Sequence, residues 1–99
     1  MKILITDDNK PFRTHLSNAL IRRGHHVLAV SNGEEAITHA HNEQFDTAVI
    51  DMKMIGMDGL QVLRELKEIH PQLIGVILTG HGSISNAVEA TKLGAYAYL

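Results

Sequence analysis

Short apolar runs recur along the chain, and between them the apolar residues fall at helical spacing. Ile3-Leu4-Ile5, Val27-Leu28-Ala29-Val30, Ala48-Val49-Ile50 and Val76-Ile77-Leu78 are continuous and mostly β-branched or leucine. Uninterrupted runs of this kind predict strands buried on both faces. Ala95-Tyr96-Ala97-Tyr98-Leu99 predicts a fifth strand at the end of the chain.

The intervening segments predict helices. Pro11 suits a first helical turn, where its missing N–H costs nothing. Phe12, Leu16, Ala19, Leu20 and Arg23 follow at helical spacing, and Gly24 occupies a stop position. Asn32 followed by Glu35 is a capping-box pattern, with Ala36, Ile37 and Ala40 as a narrow apolar stripe behind it. After a Met- and Gly-containing loop from Met52 to Gly59, Leu60, Leu63, Leu66 and Ile69 predict a helix that stops before Pro71. Ser83 is a candidate cap for a helix carrying Ile84, Ala87, Val88 and Thr91, closed by Gly94. Alternating strands and helices with apolar strand cores predict a doubly wound α/β fold built on a parallel sheet.

Composition narrows the function. The 99 residues fit one domain or part of one, with 44% hydrophobic and 20% charged residues, an ordinary globular balance. No cysteine is present, which excludes disulfides, zinc–thiolate sites and thiol catalysis. The formal net charge of −2 gives no basic face for nucleic acid. No apolar run approaches the roughly 20 residues needed to span a bilayer. The Met1-Lys2-Ile3-Leu4-Ile5-Thr6-Asp7-Asp8 start turns acidic too soon for a signal peptide, so the expected location is cytoplasmic.

The chemistry gathers at the strand ends. The first strand runs into Asp7-Asp8, the third into Asp51 and the fourth into Thr79. Doubly wound sheets bind ligands at the carboxyl ends of their strands. An Asp pair after one strand is by itself an ordinary solvated helix start. Oxygen ligands delivered to one edge by three separate elements fit a hard cation such as Mg²⁺, which offsets the repulsion among carboxylates.

With these residues in place, the chain resembles the receiver domain of two-component response regulators, from Lys2 to Leu99. Asp7-Asp8 is similar to that family's acidic pair. Asp51, within Val49-Ile50-Asp51-Met52-Lys53-Met54-Ile55-Gly56-Met57-Asp58-Gly59, is similar to the phosphoacceptor and its loop. Thr79 matches the switch hydroxyl, and Gly94-Ala95 with Tyr98 match the Gly-Ala turn and the switch aromatic. Gly82-Ser83-Ile84 through Ala87-Val88-Glu89-Ala90 resembles receivers of enhancer-binding transcription activators.

The resemblance implies a flavodoxin-like five-stranded sheet of order 2-1-3-4-5. The helix between strands one and two sits alone on one face, since crossovers are right-handed. It implies that Asp51 takes a phosphoryl group from a sensor histidine kinase. Asp8, Asp51 and the backbone carbonyl of Lys53 would ligate Mg²⁺, and Asp7 would hold it through water. Thr79 would hydrogen-bond the phosphoryl group and Tyr98 would swing in behind it, relaying the change to an output domain that this chain does not contain. The domain would be a switch, not an enzyme, beyond its own phosphorylation and slow autodephosphorylation. Neither nucleic acid nor membrane is expected to bind it directly.

Two departures stand out. Ile55 occupies a position where the family usually has proline, which should loosen the loop slightly. The family lysine, followed by proline, would fall two positions beyond Leu99. Residues 1–99 therefore read as a receiver truncated after strand five, lacking its last helix, and such a chain is expected to form a homodimer, swap elements or be poorly stable. The seven histidines do not make a zinc site by spacing: His25-His26 point to opposite strand faces, and His39 and His41 do not share a helix face. His81, two residues after Thr79, is either an exposed loop residue or a modulator of water access. Lys53 is either a solvated loop side chain or a partial neutraliser of the acids. Met52, Met54 and Met57 read as loop packing. Two other functions fit these residues less well. A haloacid-dehalogenase-like Mg²⁺ hydrolase needs a second Asp two residues after the nucleophile, where this chain has Lys53. A flavin module needs a phosphate-cradling loop after strand one, where Asp7-Asp8-Asn9-Lys10-Pro11 is acidic.

Overall fold

The computed structural model describes residues 1–78 and the backbone of 95–98. The elements are β1 (Lys2–Thr6), α1 (Lys10–Arg22), β2 (His26–Val30), α2 (Gly33–Asn42), β3 (Thr47–Asp51), α3 (Gly59–Ile69), β4 (Ile74–Leu78) and β5 (Ala95–Tyr98). All neighbouring strands pair in parallel, in the order β2-β1-β3-β4-β5. The flavodoxin-like order expected from the sequence is therefore the observed one. Thr79, His81, the Ser83-capped helix, Gly94 and the side chain of Tyr98 lie outside the described residues.

The helix limits follow local chemistry. Asn9 caps α1 by accepting from the Phe12 N–H at 3.0 Å, with Pro11 inside the first turn. Gly24, at φ 91°, takes the left-handed conformation that lets the chain turn from α1 into β2. Asn32 caps α2 by accepting from the Glu35 N–H at 2.9 Å. The reciprocal half of the expected box differs. Glu35 Oε1 accepts from the Asn32 side-chain amide at 2.8 Å and the Ser31 hydroxyl at 3.0 Å. Asp58 caps α3 by accepting from the Gln61 N–H at 2.9 Å.

One side of the sheet holds the main core. Leu4, Ala48, Ile50 and Ile77 pack with Ala36 and Ala40 of α2 and Val62, Leu63 and Leu66 of α3. Ile3 and Ile5 alternate to the other side, where α1 lies. That side is thinner. α1 contributes no buried residue, and its Phe12 and Ile21 are exposed. Met52 is buried, with Met54 and Met57 packed against the same core, as the loop-packing reading expects.

Candidate functional site

The site is set by strand register. Thr6 of β1 pairs with Ile50 of β3, so the next residues, Asp7 and Asp51, leave the sheet at one level. Asp51 in turn pairs with Leu78, the residue before Thr79. Asp7, Asp8 and Asp51 each offer a carboxylate oxygen, and these oxygens all lie within 4.8 Å of one another. Asp7 is buried, Asp51 half-buried and Asp8 exposed.

The Asp7 and Asp51 carboxylates are held by the backbone around them. Asp7 donates its N–H to the Val30 carbonyl at 3.2 Å, and its Oδ1 accepts from the Asn9 N–H at 2.8 Å. Arg13, one turn into α1, donates from Nη1 to the Asp7 backbone carbonyl at 2.8 Å. Asp51 Oδ1 accepts from the Lys53 N–H at 3.2 Å. The Met52 N–H donates to the Leu78 carbonyl at 2.8 Å, and the Gly59 N–H to the Met52 carbonyl at 3.0 Å. These bonds hold the loop after Asp51 against β4 and the start of α3. The Lys53 side chain is exposed and makes no ion pair among the described residues.

Burial raises the proton affinity of Asp7 and Asp51. Burial lifts the Asp7 carboxyl above the ordinary value; its bond from Asn9 opposes this, the charge of Asp8 adds to it, and Arg13 lowers it. Burial likewise lifts Asp51, opposed by the Lys53 N–H and reinforced by Asp7 and Asp8. Three hard, mutually repelling oxygen donors on two adjacent strand ends fit a hard divalent cation such as Mg²⁺.

Asp7, Asp8 and Asp51, singled out from the sequence, are thus brought together; Thr79, His81 and Tyr98 lie outside the described side chains. Arg13, Asn9 and Gly59 are parts of the site that sequence reasoning missed. The cue for Arg13 was a basic residue one turn beyond a capping Asn that itself follows the acidic pair. A separate cleft of about 740 Å³ opens at the opposite, amino end of the sheet, beside Lys2, Phe45, His70 and Leu73. Its charges are already matched. Lys2 Nζ pairs with Glu43 at 2.7 Å, and Asp46 Oδ2 accepts from the Lys2 N–H at 2.7 Å.

Known proteins resemble this chain in sequence and in fold. The response regulator FleR of Pseudomonas aeruginosa is 36% identical over 98 residues, which cover 99% of this chain and 21% of FleR. The transcriptional regulatory protein ZraR of Escherichia coli is 35% identical over 97 residues, 98% of this chain and 22% of ZraR. The chain thus spans about a fifth of the length of these relatives. A crystal structure of a Burkholderia pseudomallei response regulator, with a phosphorylated aspartic acid, calcium ion and citrate, superposes with a TM-score of 0.94 at 36% identity. The match covers 99% of this chain and 58% of that one. The family profile described as response regulator receiver domain matches residues 3–99. By sequence and by fold, this chain belongs to the response regulator receiver domain family, whose members are phosphoacceptor signalling switches.

Proposed function

We propose that residues 1–99 act as a receiver in which Asp51 is the phosphoacceptor. The observation that carries this is the convergence of Asp7, Asp8 and Asp51 within 4.8 Å on neighbouring strand ends. The donor would be the phosphohistidine of a sensor histidine kinase. An Asp51 carboxylate oxygen attacks phosphorus, the N–P bond breaks with its electron pair going to the imidazole, and an acyl phosphate forms. Little covalent chemistry falls to the protein beyond positioning and charge neutralisation.

Asp8, Asp51 and the Lys53 carbonyl would hold Mg²⁺, with Asp7 holding it through water. When bound, the ion supplies the positive charge that lets an anionic phosphoryl group enter an acidic pocket. Asp51 is held ready by the Lys53 N–H on Oδ1, which leaves its other oxygen as nucleophile. Thr79 would then donate to a phosphoryl oxygen, and Tyr98 would follow it inward. Lys53 and His81 would modulate charge and water access. The domain would not turn over a separate substrate, and its own dephosphorylation would be slow. Its output would pass to an effector of the transcription-activating, enhancer-binding kind, and it would work in the cytoplasm. No helix among the described residues is long and apolar enough to cross a membrane.

The test is intact-mass and peptide analysis after treatment with acetyl phosphate and Mg²⁺. One phosphoryl adduct on Asp51, absent in Asp51→Asn and without Mg²⁺, is the expected result. An adduct retained in Asp51→Asn would overturn the assignment.

A further inference from the structure

We propose that Arg13 is a positioning residue for the cation site, holding the Asp7–Asp8 peptide in the orientation that brings both carboxylates to Asp51. This rests on the acidic site as read above.

The contacts form a closed loop. The Asn9 N–H donates to Asp7 Oδ1 at 2.8 Å, and the Asn9 carbonyl accepts from the Arg13 N–H at 3.0 Å. Arg13 Nη1 then returns to the Asp7 carbonyl at 2.8 Å. That carbonyl belongs to the peptide joining Asp7 to Asp8. A peptide unit is planar and rigid, so fixing its oxygen also fixes the Asp8 nitrogen and Cα. The Asp7 N–H is fixed at the other end by the Val30 carbonyl at 3.2 Å. Asp8 is exposed, with no hydrogen bond to its own carboxylate among the described residues, so its aim depends on the peptide that precedes it. α1 has no fully buried residue, which makes this polar contact an important tie between the helix and the site.

Charge and position predict opposite effects. Arg13 places a fixed positive charge beside the acid cluster, with its Nη1 2.8 Å from the Asp7 carbonyl oxygen. A fixed positive charge beside a cation site opposes cation binding, so by charge alone its removal tightens Mg²⁺. By position, its removal frees the Asp7–Asp8 peptide and weakens Mg²⁺. The rigid fork of a guanidinium suits this second role, and lysine does not reproduce it. The geometry favours position, because the contact is made to the backbone oxygen and not to a carboxylate.

The test is Mg²⁺ titration of the 99-residue chain, followed through amide NMR shifts at Asp8 and Asp51, for wild type, Arg13→Gln, Arg13→Lys and Asp8→Asn. Partners that orient metal ligands are typically worth about 10–100-fold in metal affinity. Arg13→Gln should weaken Mg²⁺ by roughly tenfold, at the lower end of that range. Arg13→Lys should weaken it by less, despite its unchanged charge. A role in folding alone would lower the metal-free thermal midpoint and leave Mg²⁺ affinity in place. Affinity in Arg13→Gln equal to or tighter than wild type overturns the proposal. If that variant does not fold, wild-type affinity in Arg13→Lys overturns it instead. Wild type that binds no Mg²⁺, or Asp8→Asn that binds it equally well, refutes the acidic-site reading itself.

Discussion

Gly59 stands so close to Asp51 that a Cβ on it would lie 2.6 Å from the Asp51 carbonyl oxygen and 2.8 Å from the Met52 Cα. Both obstacles are backbone, so a side chain cannot simply turn aside. The helix start and the end of β3 therefore share a space that only glycine leaves open. Overpacking of this kind typically costs about 1–3 kcal/mol. Gly59→Ala should lose that much in urea denaturation. It should also slow acyl phosphate formation at Asp51, because the loop that holds the acceptor must move. Unchanged stability and unchanged phosphorylation together would show that α3 shifts freely, against the packing described.

The acid cluster sets a pH dependence. Asp7 and Asp51 bind protons more tightly in the folded chain than the ordinary value of 3.8 for an unfolded Asp. Protons then favour folding. That part of the stability is fully present below the unfolded value and is lost as pH rises through the raised folded values. Asp51→Asn removes one of the repelling charges. Without metal it should raise the thermal midpoint at neutral pH and flatten the slope over the pH range just above 3.8. A lower midpoint at neutral pH would mean that Asp51 is stabilising as a carboxylate.

Leu66 and Ile55 should behave in opposite ways. Leu66 is fully buried between α3 and the sheet, and Leu→Ala changes at such positions cost about 2–5 kcal/mol. Ile55, in the loop after Asp51, is 90% exposed, and Ile55→Ser should fall within about ±0.5 kcal/mol. Chemical denaturation measures both. A large loss at Ile55 would show that the loop packs in a way this structure does not describe.

Much of this architecture could be read from residue order. Ala48-Val49-Ile50 runs straight into Asp51, and Ile3-Leu4-Ile5 reaches Asp7-Asp8 after Thr6 alone, so strand ends and candidate ligands are legible together. Their meeting needed one more fact, the Thr6–Ile50 register, and parallel pairing of adjacent strands supplies it. The parts that were missed act across turns. Arg13 lies six residues after Asp7, and its reach to the Asp7 carbonyl depends on how α1 leaves the strand. Gly59 looked like a loop residue because its role is steric and appears only when α3 closes on β3. Glu35 was read correctly as a cap partner but in the wrong bond, since Asn32 offers a side-chain amide where Ser or Thr would not.

Metal binding should be visible as stability. A ligand that binds only the folded state at 100 times its Kd adds about 2.7 kcal/mol. For a domain of this size each kcal/mol moves the midpoint by about 4–8 °C, so saturating Mg²⁺ should raise it by roughly 10–20 °C. Chelation with EDTA should return the midpoint to its metal-free value. Asp8→Asn removes a ligand and one charge, so it should lose most of the increment, although with less repulsion it starts from an equal or higher metal-free midpoint. That crossing of effects separates ligation from general destabilisation. The increment should also shrink as pH falls toward the raised values of Asp7 and Asp51, because protons then compete for the same oxygens. Sodium chloride at matched ionic strength controls for screening, which acts on exposed charges without filling the site. Scanning calorimetry with Mg²⁺, EDTA and sodium chloride decides the matter. An equal rise with sodium chloride, or a full increment in Asp8→Asn, would show that the carboxylates at the ends of β1 and β3 do not form the metal site.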